Sequence, residues 1–84
     1  EDDLCRRDAM QHCIGAALAA YDCGITCAIC AGQVQELWQF DWDPMDYCNN
    51  EIGAFCSSPT SAEAVTCCEA QLHLGRLCLQ GNCV

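Results

Sequence analysis

Eighty-four residues with a net charge of -9, twelve carboxylates against three arginines and no lysine, make a chain that is unsuited to nucleic acid or an anionic membrane. Eleven cysteines in so short a chain exclude a reducing compartment, because disulfides at this density persist outside the cytosol and each contributes about 2 to 4 kcal/mol where a small core falls short. The expectation is one disulfide-rich domain over 1–84, secreted and extracellular, kept soluble by its acidity and not inserted in a membrane, since no apolar run reaches about 18 residues.

Apolar residues recur at helical spacing along the whole chain and do not alternate between hairpin turns. This predicts an all-α fold, a small disulfide-stapled bundle of three to four helices. A first helix starts after Asp2 or Asp3, either of which can cap it, and runs to about Ala20. Met10, Ile14, Ala17, Leu18 and Tyr21 form its expected inner line, with Cys5 and Cys13 alongside. The run IGAALAA carries small side chains that let a neighbouring helix approach closely.

Asp22 and Gly24 mark a break, after which Cys23, Cys27, Cys30, Val34 and Leu37 follow at spacings of 4, 3, 4 and 3 as a seam on one face of a second helix. The third helix has a clear beginning in DPMD. Asp43 is the N-cap, Pro44 takes the first helical position, and Asp46 adds a carboxylate facing the positive end of the helix dipole. Met45, Cys48, Ile52 and Phe55 are its expected inner face. A fourth helix opens on the capping-box pair Thr60 and Glu63 and is expected to continue until Gly81 stops it.

The cysteines are Cys5, Cys13, Cys23, Cys27, Cys30, Cys48, Cys56, Cys67, Cys68, Cys78 and Cys83. Ten can pair, and the eleventh is either a buried free thiol or a bridge to a second copy in a covalent homodimer; the pairing itself is not readable. Cys67 and Cys68 point about 100° apart on a helix, so they must reach different partners and tie the last helix to two others. Cys27 and Cys30 have the C-x-x-C spacing, but neither the βαβ setting of a redox site nor the second ligand pair of a zinc site accompanies them.

His12 and His73 are the only candidate general bases, and neither stands in a catalytic motif. The doublet Cys67-Cys68 is followed by His73 at the wrong distance for a phospholipase A2, and no calcium-binding glycine loop is present. The carboxylates of DWDPMD lack the glycine and terminal glutamate of an EF-hand, and helix capping accounts for them. The chain is therefore expected to be no enzyme and to hold no metal or cofactor. Its start at Glu1 is that expected of a mature form after removal of a signal peptide, and no N-x-S/T acceptor for glycosylation occurs.

The remaining feature is LWQFDW, which gathers both tryptophans into residues 37–42. Trp38, Phe40 and Trp42, with Asp41 and Asp43, form a candidate partner-binding patch on a shoulder of the bundle, since aromatic side chains supply the anchors of protein interfaces. Aromatic filling between the second and third helices is the competing reading, and the two are compatible.

CRRDAMQHC, YDCGITC and WDPMDYCNNEIGAFCSSP together resemble the ciliate mating pheromones in their cysteine-paced helices and in a cysteine-then-proline close. The chain departs from the smaller members of that family in its length, its Cys67-Cys68 doublet and its odd cysteine count. The resemblance implies a secreted protein signal that binds a cell-surface receptor protein and self-associates through helix faces. Two alternatives share the composition: a venom toxin of the cone-snail con-ikot-ikot type, modulating a neuronal ion channel or receptor, and a secreted effector of a fungus or oomycete.

Overall fold

The computed structural model describes residues 3–38, 43–81 and 83, the side chains of 36–38 excepted. Among these the chain forms four helices, α1 (Asp3–Cys23), α2 (Ile25–Trp38), α3 (Pro44–Phe55) and α4 (Ser61–His73). The expected all-α, disulfide-stapled bundle is what the structure shows. Helix α1 touches all three others, whereas α2 touches only α1 and α3. The result is a slab of 31 × 29 × 16 Å built around α1.

Helix boundaries follow local chemistry. Gly24, at φ 93°, takes the left-handed conformation that a side chain would oppose and separates α2 from α1, whose last residue, Cys23, lies three residues beyond the expected end. Asp43 caps α3 by accepting from the Met45 amide at 3.0 Å, and Pro44 opens the helix as predicted. Thr60 caps α4 by accepting from the Glu63 amide at 3.2 Å. The expected run of α4 to Gly81 is corrected. Gly75, at φ 73°, ends it in a Schellman motif, with Gly75 N–H donating to Leu72 O and Arg76 N–H to Gln71 O. Residues 76–81 instead run back along the bundle as an irregular segment.

Two expected inner faces are also rotated. On α1 the buried line is Ala9, Cys13, Ala16, Ala17 and Ala20, while Tyr21 is 59% exposed and Met10, Ile14 and Leu18 are half-buried. On α3 Met45 is buried but Phe55 is 72% exposed, and Asp46, Asn49, Asn50, Gly53 and Ala54 complete the inner surface. The cause is the distance between these two helices. A Cβ on Gly53 would collide with the backbone carbonyl of Cys13, so α1 and α3 are in backbone contact there. Only small side chains fit along such a line, and the bulkier residues are displaced to its flanks.

Five disulfides lock this arrangement: Cys5–Cys83, Cys13–Cys68, Cys23–Cys27, Cys48–Cys78 and Cys56–Cys67. The doublet behaves as expected, Cys68 reaching α1 and Cys67 the end of α3. Chain-entropy reasoning gives Cys5–Cys83, which spans 78 positions, about 4 to 5 kcal/mol, against about 2 kcal/mol for Cys23–Cys27 with its separation of 4. The irregular C-terminal segment is fixed further by Asn49, fully buried, whose Nδ2 donates to Cys78 O at 2.9 Å while Cys78 N–H donates to Asn49 Oδ1 at 2.8 Å.

Gly53→Ala gains about 1 kcal/mol in helix propensity, but pushing a methyl group into the Cys13 carbonyl costs about 1 to 3 kcal/mol or more. Chemical denaturation with the disulfides intact should show a net loss of stability. A variant as stable as the parent would mean that α1 and α3 stand further apart than described.

Candidate functional site

The close approach of α1 and α3 places four polar side chains face to face. Asp8 and His12 lie one turn apart on α1, and Asp46 and Asn50 one turn apart on α3. His12 Nε2 stands 3.6 Å from Asp8 Oδ1 and 3.2 Å from Asp46 Oδ1. On its other side His12 Nδ1 is 3.1 Å from Asn50 Oδ1. Asp8, Asp46 and Asn50 are buried, and the His12 side chain is 27% exposed.

An amide oxygen only accepts, so the contact with Asn50 Oδ1 is a hydrogen bond in the tautomer that carries its proton on Nδ1 of His12. Nε2 then faces two carboxylate oxygens, which is repulsive for a bare lone pair. It becomes favourable when Nε2 is also protonated, giving an imidazolium between two carboxylates, or when a cation stands between the three groups. Asp8 Oδ2 is buried without a hydrogen-bond partner. Such an atom ordinarily costs about 1 to 3 kcal/mol.

His12 and Asn50 also border a groove of about 440 Å³ between α1 and α2. Its walls are small residues, Gly15, Ala16 and Ala19 from α1 and Ala28, Ala31 and Gly32 from α2, with Gln11 and Gln35 beside His12. Gly32 lies close against Asn50, since a Cβ there would be 2.6 Å from Asn50 Nδ2 and would displace its amide. The groove is therefore a route from solvent to the histidine.

None of these four residues was singled out as a site by the sequence. His12 was weighed only as an unsupported general base, and Asp46 only as a helix-dipole acid. The available signal was a pair of i, i+4 polar couples, Asp8/His12 and Asp46/Asn50, on helices whose other inward residues, Asn49 apart, are apolar or small.

The residues that were singled out are placed differently. Asp43 is withdrawn from the expected partner-binding patch, since it is 4% exposed and its carboxylate caps α3. Trp38 ends α2, but its side chain and residues Phe40, Asp41 and Trp42 lie outside the described residues. The seam on α2 is corrected as well. Cys23, Cys27, Cys30 and Val34 are exposed, Val34 by 60%, and Leu37 lies outside the described side chains. Only Ala28 is buried among the described side chains of α2. Cys27 pairs with Cys23, which removes it from any C-x-x-C chemistry, and the odd cysteine is Cys30, free and exposed. His73 is exposed, as expected of a solvated helix face.

The sulfurs of Cys13, Cys56 and Cys68 also approach one another, but all three belong to disulfides and are not available as thiolate ligands. No helix among the described residues is long and apolar enough to cross a membrane. Comparison with protein-family models, with curated proteins and with solved structures gives no significant match.

Asn50→Ala removes the acceptor of His12 Nδ1 and leaves a part-buried donor without its partner. A loss of about 1 to 3 kcal/mol in denaturant unfolding is expected, larger than for Gln11→Ala at the solvent-facing side of the same groove.

Proposed function

We propose that the chain is a secreted protein signal that works by recognition, binding a cell-surface receptor and pairing with a second copy of itself through the outer face of α2. The observation that carries this reading is the character of that face. Cys27, Cys30 and Val34 fall at i, i+3 and i+7, all exposed, as one uncharged stripe on the side of α2 away from the groove. From Cys23 to Gln35 no residue is charged, in a protein whose net charge of -9 opposes self-association elsewhere.

Cys30 stands near the middle of this stripe. In a two-fold dimer a residue on the symmetry axis meets its own copy, so a single cysteine per chain suffices to join two chains. The two thiols lose two protons and two electrons to an extracellular oxidant such as a small-molecule disulfide, which leaves as two thiols. Dimerisation would leave the acidic surface outward. The aromatic run Trp38, Phe40 and Trp42 with Asp41 is the proposed receptor contact, and the buried cap Asp43 sets where the helix after it begins. Five bridges support such a role by fixing the displayed surface before binding, which lowers the ordering cost of recognition.

Intact mass under non-reducing conditions should show a species of twice the chain mass that collapses on reduction and is missing in Cys30→Ser. A purely monomeric parent under oxidising conditions would falsify the pairing. For the receptor, labelled protein should bind saturably to intact cells of the source organism, displaced by unlabelled protein and weakened by Trp38→Ala or Trp42→Ala. Non-saturable binding, or binding indifferent to both substitutions, would overturn that part of the reading.

A further inference from the structure

We propose that Asp8, His12 and Asp46 form a binding site for a divalent first-row metal ion, zinc in particular, with Asn50 orienting the histidine. The sequence offers no metal motif, and the site exists only because α1 and α3 meet.

Ligand type comes first. One imidazole nitrogen and two carboxylates are a zinc donor set, with bonds of about 2.0 to 2.2 Å. In a tetrahedral site bonds of that length put neighbouring ligand atoms about 3.3 to 3.5 Å apart. His12 Nε2 lies 3.2 Å from Asp46 Oδ1 and 3.6 Å from Asp8 Oδ1. The three residues each offer a ligand atom within 4.8 Å of the others, so the spacing is that of a coordination shell with little movement needed.

The histidine is also in the right form. Metal ligation needs an unprotonated nitrogen, and it is commonly secured when the other ring nitrogen donates to a fixed acceptor. In the tautomer in which His12 Nδ1 donates to Asn50 Oδ1, 3.1 Å away, the Nε2 lone pair points toward the two carboxylates. A doubly charged cation there would convert the repulsion described above into attraction and balance both carboxylates.

An independent observation points to the same place. Asp8 is 7% exposed, and its Oδ2 is buried with no hydrogen-bond partner. Natural interiors rarely leave a carboxylate oxygen in that condition without an ion or water to meet it. Calcium and magnesium fit poorly, because calcium takes six to eight oxygen ligands and neither ion favours imidazole. The His12 side chain is 27% exposed, so the ring itself is reachable from solvent. Three protein ligands leave a fourth position for water or for a donor from another molecule.

The test uses the disulfide-intact, metal-free chain carrying Cys30→Ser, so that the free thiol cannot compete. Zinc chloride is titrated in and followed by calorimetry, with native mass spectrometry for stoichiometry. One zinc per chain is expected, together with a raised unfolding temperature. Asn50→Ala should weaken binding by roughly 10- to 100-fold, as loss of an orienting partner does. His12→Ala and the near-isosteric Asp8→Asn should weaken it at least as much, while His73→Ala should leave it unchanged. Near-UV circular dichroism establishes that each variant is folded, and Asp8→Asn serves if His12→Ala is not. Absence of bound zinc, or equal affinity in the parent, His12→Ala and Asp8→Asn, overturns the proposal. In that event the cluster is an imidazolium held between two carboxylates.

Discussion

The structure depends on one contact, the backbone-level approach of α1 to α3 where Gly53 meets Cys13. At that point no side chain fits between the helices, and the core beside it is built mostly of small residues, Ala9, Cys13, Ala17, Cys56, Ala64 and Cys68, with Leu77 at one side. Small residues bury little apolar area each, so such a core falls short of what ordering the chain requires. The disulfide Cys13–Cys68 lies inside this core, with Cys56–Cys67 beside it, and the cross-links supply what side-chain bulk cannot. Composition and architecture are thus one fact: the helices can pack this closely because cystines hold them.

The same contact explains how much was legible in the sequence. Helix existence, the caps at Asp43 and Thr60, the break at Gly24 and the divergent partners of Cys67 and Cys68 are local properties, set by spacing and by cap chemistry. What failed was the choice of inner face. Hydrophobic periodicity assumes that the largest apolar residues mark the core, and on α1 and α3 they do not, since Tyr21 and Phe55 are exposed while Ala17 and Gly53 are buried. The end of α4 was missed for a different reason. Gly75 and Gly81 are both competent stops, and only the fold of the C-terminal segment against Asn49 shows that the chain must turn at the first.

The polar cluster was invisible for the reason the core was misjudged. With the large apolar residues taken as inward, Asp8, His12 and Asn50 fall on the presumed outer surface, where charged and amide side chains need no account. Rotating both helices toward their small faces brings these residues inward together. A buried carboxylate couple is costly in any protein, and more so in one with a net charge of -9. His12 stands 3.6 Å from Asp8 Oδ1 and 3.2 Å from Asp46 Oδ1, so it is one of the groups that offset the burial of these carboxylates.

Helix α2 is the element least committed to this core. Four of the five disulfides join α1, α3, α4 and the C-terminal segment, whereas Cys23–Cys27 ties α2 only to the end of the helix it follows. Ala28 is its one buried residue among the described side chains, packed with Ala20 of α1 and Ala54 of α3. Its inner side closes the groove that leads to His12, and its outer side carries Cys30. Covering the outer side with a second copy would favour the docked position of the helix and thereby restrict the route to the histidine. A metal at His12 would favour the same position through Asn50, which packs on Gly32 of α2. Each ligand would strengthen the other to the extent that both require α2 docked.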